Sequence, residues 1–294
     1  MRVDVGGVRL FVDVDGAKLV PEGPWMRERP TVVLVHSGPG FDHQVFKGQL
    51  GPRISDFAQV VYVDLRGHGR SDPCPPEECR IDVWAEDLAG LCEALSIERP
   101  VLLGHGFGGV VALRLAALHP ELPSALVLSA PYARVVAGRI VEAFDRLGGP
   151  EAGEAARRFY AEPGHATLGD YLRVCYPLIV RDPDASEELT RSVFSADTFI
   201  EWTIAEGNSF DLRDDIGRIT VPTLVLAGED DPYTPLASAQ EVADSLPPDV
   251  VRFRSFPNAR HPVFRDSDPD ALDELRAFLE ALSEPAASAA AEPA

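Results

Sequence analysis

The chain has 294 residues, 45% of them hydrophobic, and a formal net charge of −20 at pH 7. This composition is typical of a globular protein with a sizeable core, and the negative charge argues against a nucleic-acid or anionic-membrane partner. No apolar run approaches the ~20 residues that span a bilayer, and the polar N-terminus lacks a signal-peptide core. We therefore expect a cytoplasmic protein without a nucleic-acid or membrane partner.

The first 130 residues alternate short strands with helical segments. Residues 3–15 alternate apolar and polar side chains and read as a hairpin. Apolar residues recur at helical spacing over 81–95 and 107–119. Four apolar runs predict buried strands, at 31–36, 59–64, 100–104 and 124–130. Strands that alternate with helices indicate βαβ units, so we predict an α/β fold whose mostly parallel central sheet is flanked by helices.

The pattern changes after the sixth predicted strand. From residue 131 to residue 217 the sequence has helical patches and no clear strand. The elements predicted after this stretch are a strand, a helix, a strand and a helix, at 221–228, 236–245, 250–256 and 271–282. We therefore predict a core of residues 1–130 and 218–283, interrupted by a helical lid at 131–217. The Ala-, Pro- and Glu-rich residues 284–294 predict a disordered tail.

A glycine-rich turn joins the strand at 100–104 to the next helix. Its sequence G-H-G-F-G, residues 104–108, matches the spacing of the nucleophile elbow G-x-S-x-G of serine hydrolases. Gly106 stands where the attacking serine belongs. Glycine relieves the backbone strain that a serine would bear there, but it excludes the usual covalent step at this position.

The same turn also contains the spacing G-x-G-x-x-G of a dinucleotide-binding loop, through Gly104, Gly106 and Gly109. Such a loop opens the first βα unit of its fold, and an acidic residue follows it ~20 residues later at the end of a strand. Here several strands precede the turn, and the acidic residue at about that distance, Glu121, lies in a predicted loop. We therefore expect no nucleotide cofactor.

Three other polar segments follow predicted strands. The glycine-rich turn at 37–40 presents backbone N–H groups, which acyl transfer needs for its oxyanion. Asp231 follows the strand at 221–228, with Asp230 as a weaker candidate acid, and His261 follows the last strand. The chain order of nucleophile position, acid and histidine is the order found in α/β-hydrolases.

Together these segments resemble an α/β-hydrolase of the proline iminopeptidase-like kind. The matching segments span nearly the whole chain in the expected order: H-S-G-P-G at 36–40, D-L-R-G-H-G-R-S at 64–71, the turn at 104–109, the strand at 222–228, Asp231 and His261. Relatives usually carry H-G-G-P-G at the first turn and serine at the elbow. This chain departs from that pattern at Ser37 and Gly106.

The resemblance implies a role for each matching residue. Asp231 would be the acid that orients His261, and His261 would be the base. The backbone N–H groups of Gly38 and Phe107 would be the oxyanion donors, with Ser37 beside them. Relatives that cleave N-terminal proline use lid carboxylates to hold the substrate amine. Glu201 and Glu206 lie in about that stretch and are substrate-binding candidates. His43, which follows the oxyanion turn, and His105, which precedes the elbow position, are two more.

Three functions remain open from the sequence. The first is an enzyme without the elbow serine, in which His261 and Asp231 act on a small carbonyl substrate by non-covalent general-base chemistry: hydrolysis, elimination or cyclisation. Ser37 would then donate a hydrogen bond or attack. The second is a serine hydrolase inactivated by a serine-to-glycine change at residue 106, and the third is a non-catalytic small-molecule-binding protein. The four cysteines form no C-x-x-C pair, so we expect reduced thiols and no metal. A homo-oligomer is compatible with the sequence.

Overall fold

The computed structural model describes residues 1–48, 50–181 and 191–283. Its centre is an eight-stranded sheet, whose strands are β1 (Arg2–Asp4), β2 (Arg9–Asp15), β5 (Thr31–Val35), β6 (Gln59–Asp64), β7 (Val101–His105), β8 (Ala125–Ser129), β9 (Thr223–Gly228) and β10 (Val251–Phe256). Their order across the sheet is β1-β2-β6-β5-β7-β8-β9-β10. β2 pairs antiparallel with β1 and β6, and all other neighbours are parallel.

The central strands are apolar on both faces because both faces are covered. All five residues of β5 are buried, and their side chains alternate between two cores: Val33 and Val35 belong to one, Val32 and Leu34 to the other. Continuous apolar runs of this kind are expected of parallel strands covered on two sides. The prediction of an α/β fold with a mostly parallel central sheet is confirmed.

Helices cover the two faces of the sheet. The helices that contribute to the first core are Ile81–Ala94, Phe107–Leu118, Arg213–Ile216 and Leu236–Ser245. Those that contribute to the second core are Gln44–Lys47, Leu50–Ile54, Val263–Asp266 and Asp270–Ser283. A 3-10 turn, Pro76–Glu78, precedes the helix Ile81–Ala94. Both helix layers leave the carboxyl ends of the parallel strands free to carry loops.

A helical segment follows β8, the sixth strand of the central sheet in chain order. Its elements are the helices Ala137–Gly148, Pro150–Ala161, His165–Val174, Tyr176–Ile179 and Ala196–Trp202 and the π turn Thr203–Gly207. These helices form a third core around Phe144, Phe159, Tyr171 and Phe199. The segment therefore has a core of its own; its role as a lid remains a prediction.

A separate two-stranded hairpin, which the sequence pattern does not predict, lies between β2 and β5: β3 (Leu19–Glu22) and β4 (Trp25–Glu28). Its residues are almost all exposed, and Pro21 interrupts the apolar pattern, so no buried face marks it as a strand pair. The tail predicted at 284–294 lies outside the described residues. None of the described helices combines the length and apolarity that a membrane crossing requires.

The packing of the turn after β7 against β5 predicts a stability difference between two glycines. A Cβ on Gly108 would lie 2.1 Å from the carbonyl oxygen of Val35, whereas a Cβ on Gly138 would meet nothing within 4 Å. We expect Gly108→Ala to lower the free energy of unfolding by about 1–3 kcal/mol. Gly138→Ala, in an exposed part of a helix, should raise it by about 0.5–1 kcal/mol. Urea denaturation measures both, and equal midpoints would contradict the packing.

Candidate active site

A buried carboxylate–imidazole pair lies at the carboxyl edge of the sheet. Asp231 follows β9 and His261 follows β10, and His261 Nδ1 lies 2.8 Å from Asp231 Oδ2. The other carboxylate oxygen accepts hydrogen bonds from the backbone N–H groups of Tyr233 and Thr234, at 2.8 and 3.0 Å. Thr234 Oγ1 donates to Oδ2. These donors hold the carboxylate in place, and its Oδ2 accepts the Nδ1 proton of His261, so Nε2 presents its lone pair.

Gly106 faces this lone pair. The residue joins β7 to the helix Phe107–Leu118 at φ 54° and ψ −116°, a region that glycine enters without steric cost. An ideal Cβ built on Gly106 would lie 3.1 Å from His261 Nε2 and 3.3 Å from Ser37 Oγ. The elbow position is therefore directly opposite the base, and it carries no functional atom of its own.

The turn after β5 completes this side of the site. Ser37 Oγ lies 3.5 Å from His261 Nε2, and an ideal Cβ on Gly38 would lie 3.8 Å from the ring of Phe107. Phe107 is the first residue of its helix, where backbone N–H groups have no intrahelical acceptor. The two turns thus bring Ser37, Gly38, Gly106 and Phe107 together, as the sequence analysis expected.

An apolar cavity opens onto His261. Its walls come from both the sheet edge and the helical segment, and most of them are aromatic or aliphatic. The lining residues are Ser37, Gly38, Phe41, Val45, His105, Tyr171, Leu172, Tyr176, Ile179, Val180, Ser192, Phe199, Tyr233, His261, Pro262 and Arg265. Concave, mostly apolar pockets with a few convergent polar groups are typical of small-molecule sites.

His105 lies in this cavity, as expected, but its ring packs at a tilt against that of the base. Its ring centroid lies 4.4 Å from that of His261, and its Nδ1 is 3.2 Å from Ser129 Oγ. Burial, together with the neighbouring His261, lowers the pKa of His105 well below its ordinary value. A neutral ring behind the base supports its position and holds no charge for a substrate.

His43 does not reach the cavity, so the expectation that it binds substrate is wrong. Its Nδ1 lies 2.6 Å from Asp64 Oδ1, and its backbone N–H donates to the same oxygen. Burial alone would raise the pKa of Asp64, but the hydrogen bond from His43 and the charges of His36 and His43 lower it to about 2. The buried carboxylate at the end of β6 needs these donors, and this requirement holds His43 away from the site.

The two glutamates predicted to bind a substrate amine also lie elsewhere. Glu206 Oε2 accepts a hydrogen bond of 2.8 Å from the backbone N–H of Ile81, the first residue of its helix. It therefore satisfies a free donor at a helix N-terminus. Glu201 lies near the thiol of Cys79. Neither glutamate lines the cavity, so this part of the prediction is corrected.

Tyr233, which is not among the site residues expected from the sequence, connects the parts of the site. Its hydroxyl donates to the carbonyl oxygen of Gly38 at 3.0 Å, and its ring stands edge-on to His261 at 4.9 Å. Burial raises the pKa of Tyr233 well above its ordinary value, so the hydroxyl stays a donor. One signal was available: the D-P-Y-T-P sequence places Tyr233 two residues after the acid.

No group of three or more His, Cys, Asp or Glu side chains suited to a metal ion occurs within residues 1–48, 50–181 and 191–283. The four cysteines are free thiols. The groups that meet at the described site are an imidazole, a carboxylate, hydroxyls and backbone amides.

Comparison with known proteins identifies the fold family. The model of the alpha/beta hydrolase fold family matches residues 30–268. A protein of Pseudomonas syringae provisionally named carbamate hydrolase RutD is 30% identical over 235 residues, 75% of this chain and 83% of its own length.

Two solved structures cover most of the chain. A proline iminopeptidase-related protein from Thermus thermophilus is 26% identical, with a TM-score of 0.74 over 96% of each chain. The enol-lactonase from Burkholderia xenovorans is 24% identical, with a TM-score of 0.71 over 95% of this chain and 100% of the lactonase. The second likeness shows the fold alone.

The hydrogen bonds to Asp231 predict that its two acceptor oxygens stabilise the fold. In Asp231→Asn an amide replaces one acceptor oxygen and faces donors that it cannot satisfy, at a cost of about 1–3 kcal/mol. Asp230→Asn is the matched control, because Asp230 is exposed. Urea denaturation should show a lower midpoint for the first variant alone; equal midpoints would contradict the buried network.

Proposed function

This chain belongs to the α/β-hydrolase family and is a hydrolase-like enzyme, and we propose that it acts on a small carbonyl substrate by general-base catalysis from His261 and Asp231. No atom of residue 106 bonds to the substrate. The base can take a proton from water, from the substrate itself or from a neighbouring hydroxyl. Hydrolysis, elimination and cyclisation are all compatible with this chemistry.

The observation that carries the proposal is the position of the base. His261 Nε2 lies 3.1 Å from the point where a side chain at residue 106 would begin, and its Nδ1 is bonded to a buried carboxylate. A receptor that only bound a ligand would not need an imidazole with a fixed tautomer. General-base catalysis needs such a group within hydrogen-bond reach of the proton it removes.

The backbone supports the other half of the chemistry. The proposed oxyanion donors are two backbone N–H groups. One belongs to Gly38, in the turn after β5, and the other to Phe107, which follows Gly106 at the start of a helix. Such donors stabilise the negative charge that develops on a carbonyl oxygen, and loss of one typically costs about 10²–10³-fold in turnover. Tyr233, through its bond to the Gly38 carbonyl, is proposed to hold one donor in position.

The cavity favours an apolar ester, lactone or carbamate over a peptide with a free N-terminal proline. Its lining is mostly aromatic and aliphatic, and the two lid glutamates proposed for amine binding lie outside it. The name of one similar protein mentions a carbamate, which, like an ester or a lactone, presents a carbonyl carbon for attack. We propose that the helical segment 131–217 covers this cavity as a lid.

Removal of the base tests the proposal. His261→Ala should lower turnover of the best substrate in a panel of p-nitrophenyl esters, lactones and carbamates by about 10²–10⁴-fold, because the proton would have no acceptor. His119→Ala is the matched control, since His119 pairs with Glu86 at the surface. Unchanged turnover in His261→Ala would overturn the proposed function.

A second experiment separates a natural glycine from an inactivated serine hydrolase. The unaltered chain and Gly106→Ser are assayed side by side on the same panel and on a prolyl amide. We expect measurable turnover from the unaltered chain. If only Gly106→Ser turns over substrate and reacts with a fluorophosphonate at residue 106, the chain is an inactive form of a serine hydrolase and the proposal fails.

A further inference from the structure

We propose that the hydroxyl of Ser37 is the nucleophile that His261 activates, so that the attacking group stands at the end of β5 rather than at the elbow after β7. This inference rests on the proposed function, because it uses the same base and the same acid. Of the three groups that could give a proton to His261 in the first step, it selects a neighbouring hydroxyl, that of Ser37.

The protonation of His261 supports this assignment. Its Nδ1–H is directed to Asp231 Oδ2 at 2.8 Å, so Nε2 is the acceptor. The Ser37 hydroxyl, at 3.5 Å, donates to that lone pair and has no other hydrogen-bond partner among the described residues. Such bonds are often long without substrate and shorten in the complex. Asp231, His261 and Ser37 thus form a chain with the roles of a catalytic triad, which is recognised by geometry rather than by sequence position.

The register of the sheet explains how the hydroxyl reaches this place. β5 and β7 are parallel neighbours in which Val35 pairs with Gly104. Two residues farther along each chain come Ser37 and Gly106, so both lie just beyond the ends of adjacent strands. Each is followed by a proposed oxyanion donor, Gly38 or Phe107. In the ordinary elbow the N–H after the nucleophile is also such a donor, and Gly38 has that relation to Ser37.

Glycine at residue 106 is needed for this arrangement. A Cβ there would lie 3.3 Å from Ser37 Oγ and 3.1 Å from His261 Nε2, both closer than ordinary van der Waals contact, and a hydroxyl on it would compete for the same lone pair. Without that side chain the lone pair is available to Ser37, and a substrate carbonyl can approach it from the cavity that Ser37 lines. We therefore interpret the serine at residue 37 and the glycine at residue 106 as linked changes that move the nucleophilic hydroxyl from one turn to the other.

The reaction balances without any further reagent. Ser37 Oγ attacks the carbonyl carbon while its proton moves to His261 Nε2. The bond to the leaving group then breaks, and the leaving group takes that proton, which leaves an acyl ester on Ser37. Water attacks this ester with His261 as base, and the carboxylic acid and the free hydroxyl are released.

The test is labelling with a fluorophosphonate, read by intact mass and peptide mapping. The unaltered protein should form one adduct, on the peptide that contains Ser37. Ser37→Gly introduces the residue that relatives carry; it should abolish the adduct and lower turnover by at least about 10³-fold. Ser255→Ala is the control, because its hydroxyl donates to Glu229 on an exposed strand; it should keep both adduct and turnover.

Three outcomes decide between the two proposals. If Ser37→Gly keeps full turnover while His261→Ala loses it, the base acts on water or substrate directly; this inference fails and the proposed function stands. If both variants keep turnover, both proposals fail. An adduct on any residue other than Ser37 also overturns the inference.

A double variant separates the loss of the nucleophile from a loss of folding. Ser37→Gly combined with Gly106→Ser moves the hydroxyl back to the elbow, and it should recover turnover lost in Ser37→Gly and shift the adduct to residue 106. Ser37→Cys keeps the shape of the side chain and should be alkylated by iodoacetamide faster than the four native thiols. Failure of both, in variants whose circular dichroism and unfolding midpoint match the unaltered protein, contradicts the inference.

Discussion

The hydrogen bond between Asp231 and His261 is the interaction on which the chemistry of this site depends. A free imidazole exchanges its proton between two nitrogens, and only one of these faces the cavity. The carboxylate removes that ambiguity, because it is held by two backbone N–H groups and a hydroxyl and accepts the Nδ1 proton. The lone pair on Nε2 is then fixed in direction. The roles of residues 106 and 37 depend on which group donates a hydrogen bond to that lone pair.

The parallel sheet brings the required groups together. In a parallel sheet all strands end at the same edge, and loops that are far apart in sequence meet there. The turns after β5 and β7 and the loops after β9 and β10 supply a hydroxyl, two backbone donors, an acid and a base. Helices packed on both faces hold the strands in register. The fold therefore determines which residues can meet, and local side-chain contacts determine which of them act.

The sequence predicted the parts of the site that depend on chain order and failed where a contact with another element decides. Gly106, Asp231 and His261 lie at strand ends in a recognisable order, and the structure brings them together. His43 and Glu206 lie in suitable stretches, but a buried carboxylate binds one and a helix N-terminus binds the other. Neither partner is adjacent in sequence. The contact of Tyr233 with Gly38 spans 195 residues, and no periodicity or spacing signals it.

The two departures from the family pattern, Ser37 and Gly106, are related through their positions in the folded structure and not through their positions along the chain. Taken singly, a glycine at the elbow removes a nucleophile, and a serine at the first turn only adds a polar group. The register of β5 and β7 brings both positions to the ends of adjacent strands, and the base lies within reach of both. Since one imidazole nitrogen can activate only one group at a time, a hydroxyl at one position favours its absence at the other. An elbow without serine is therefore insufficient evidence that an α/β-hydrolase lacks a nucleophile, because a neighbouring strand can supply it.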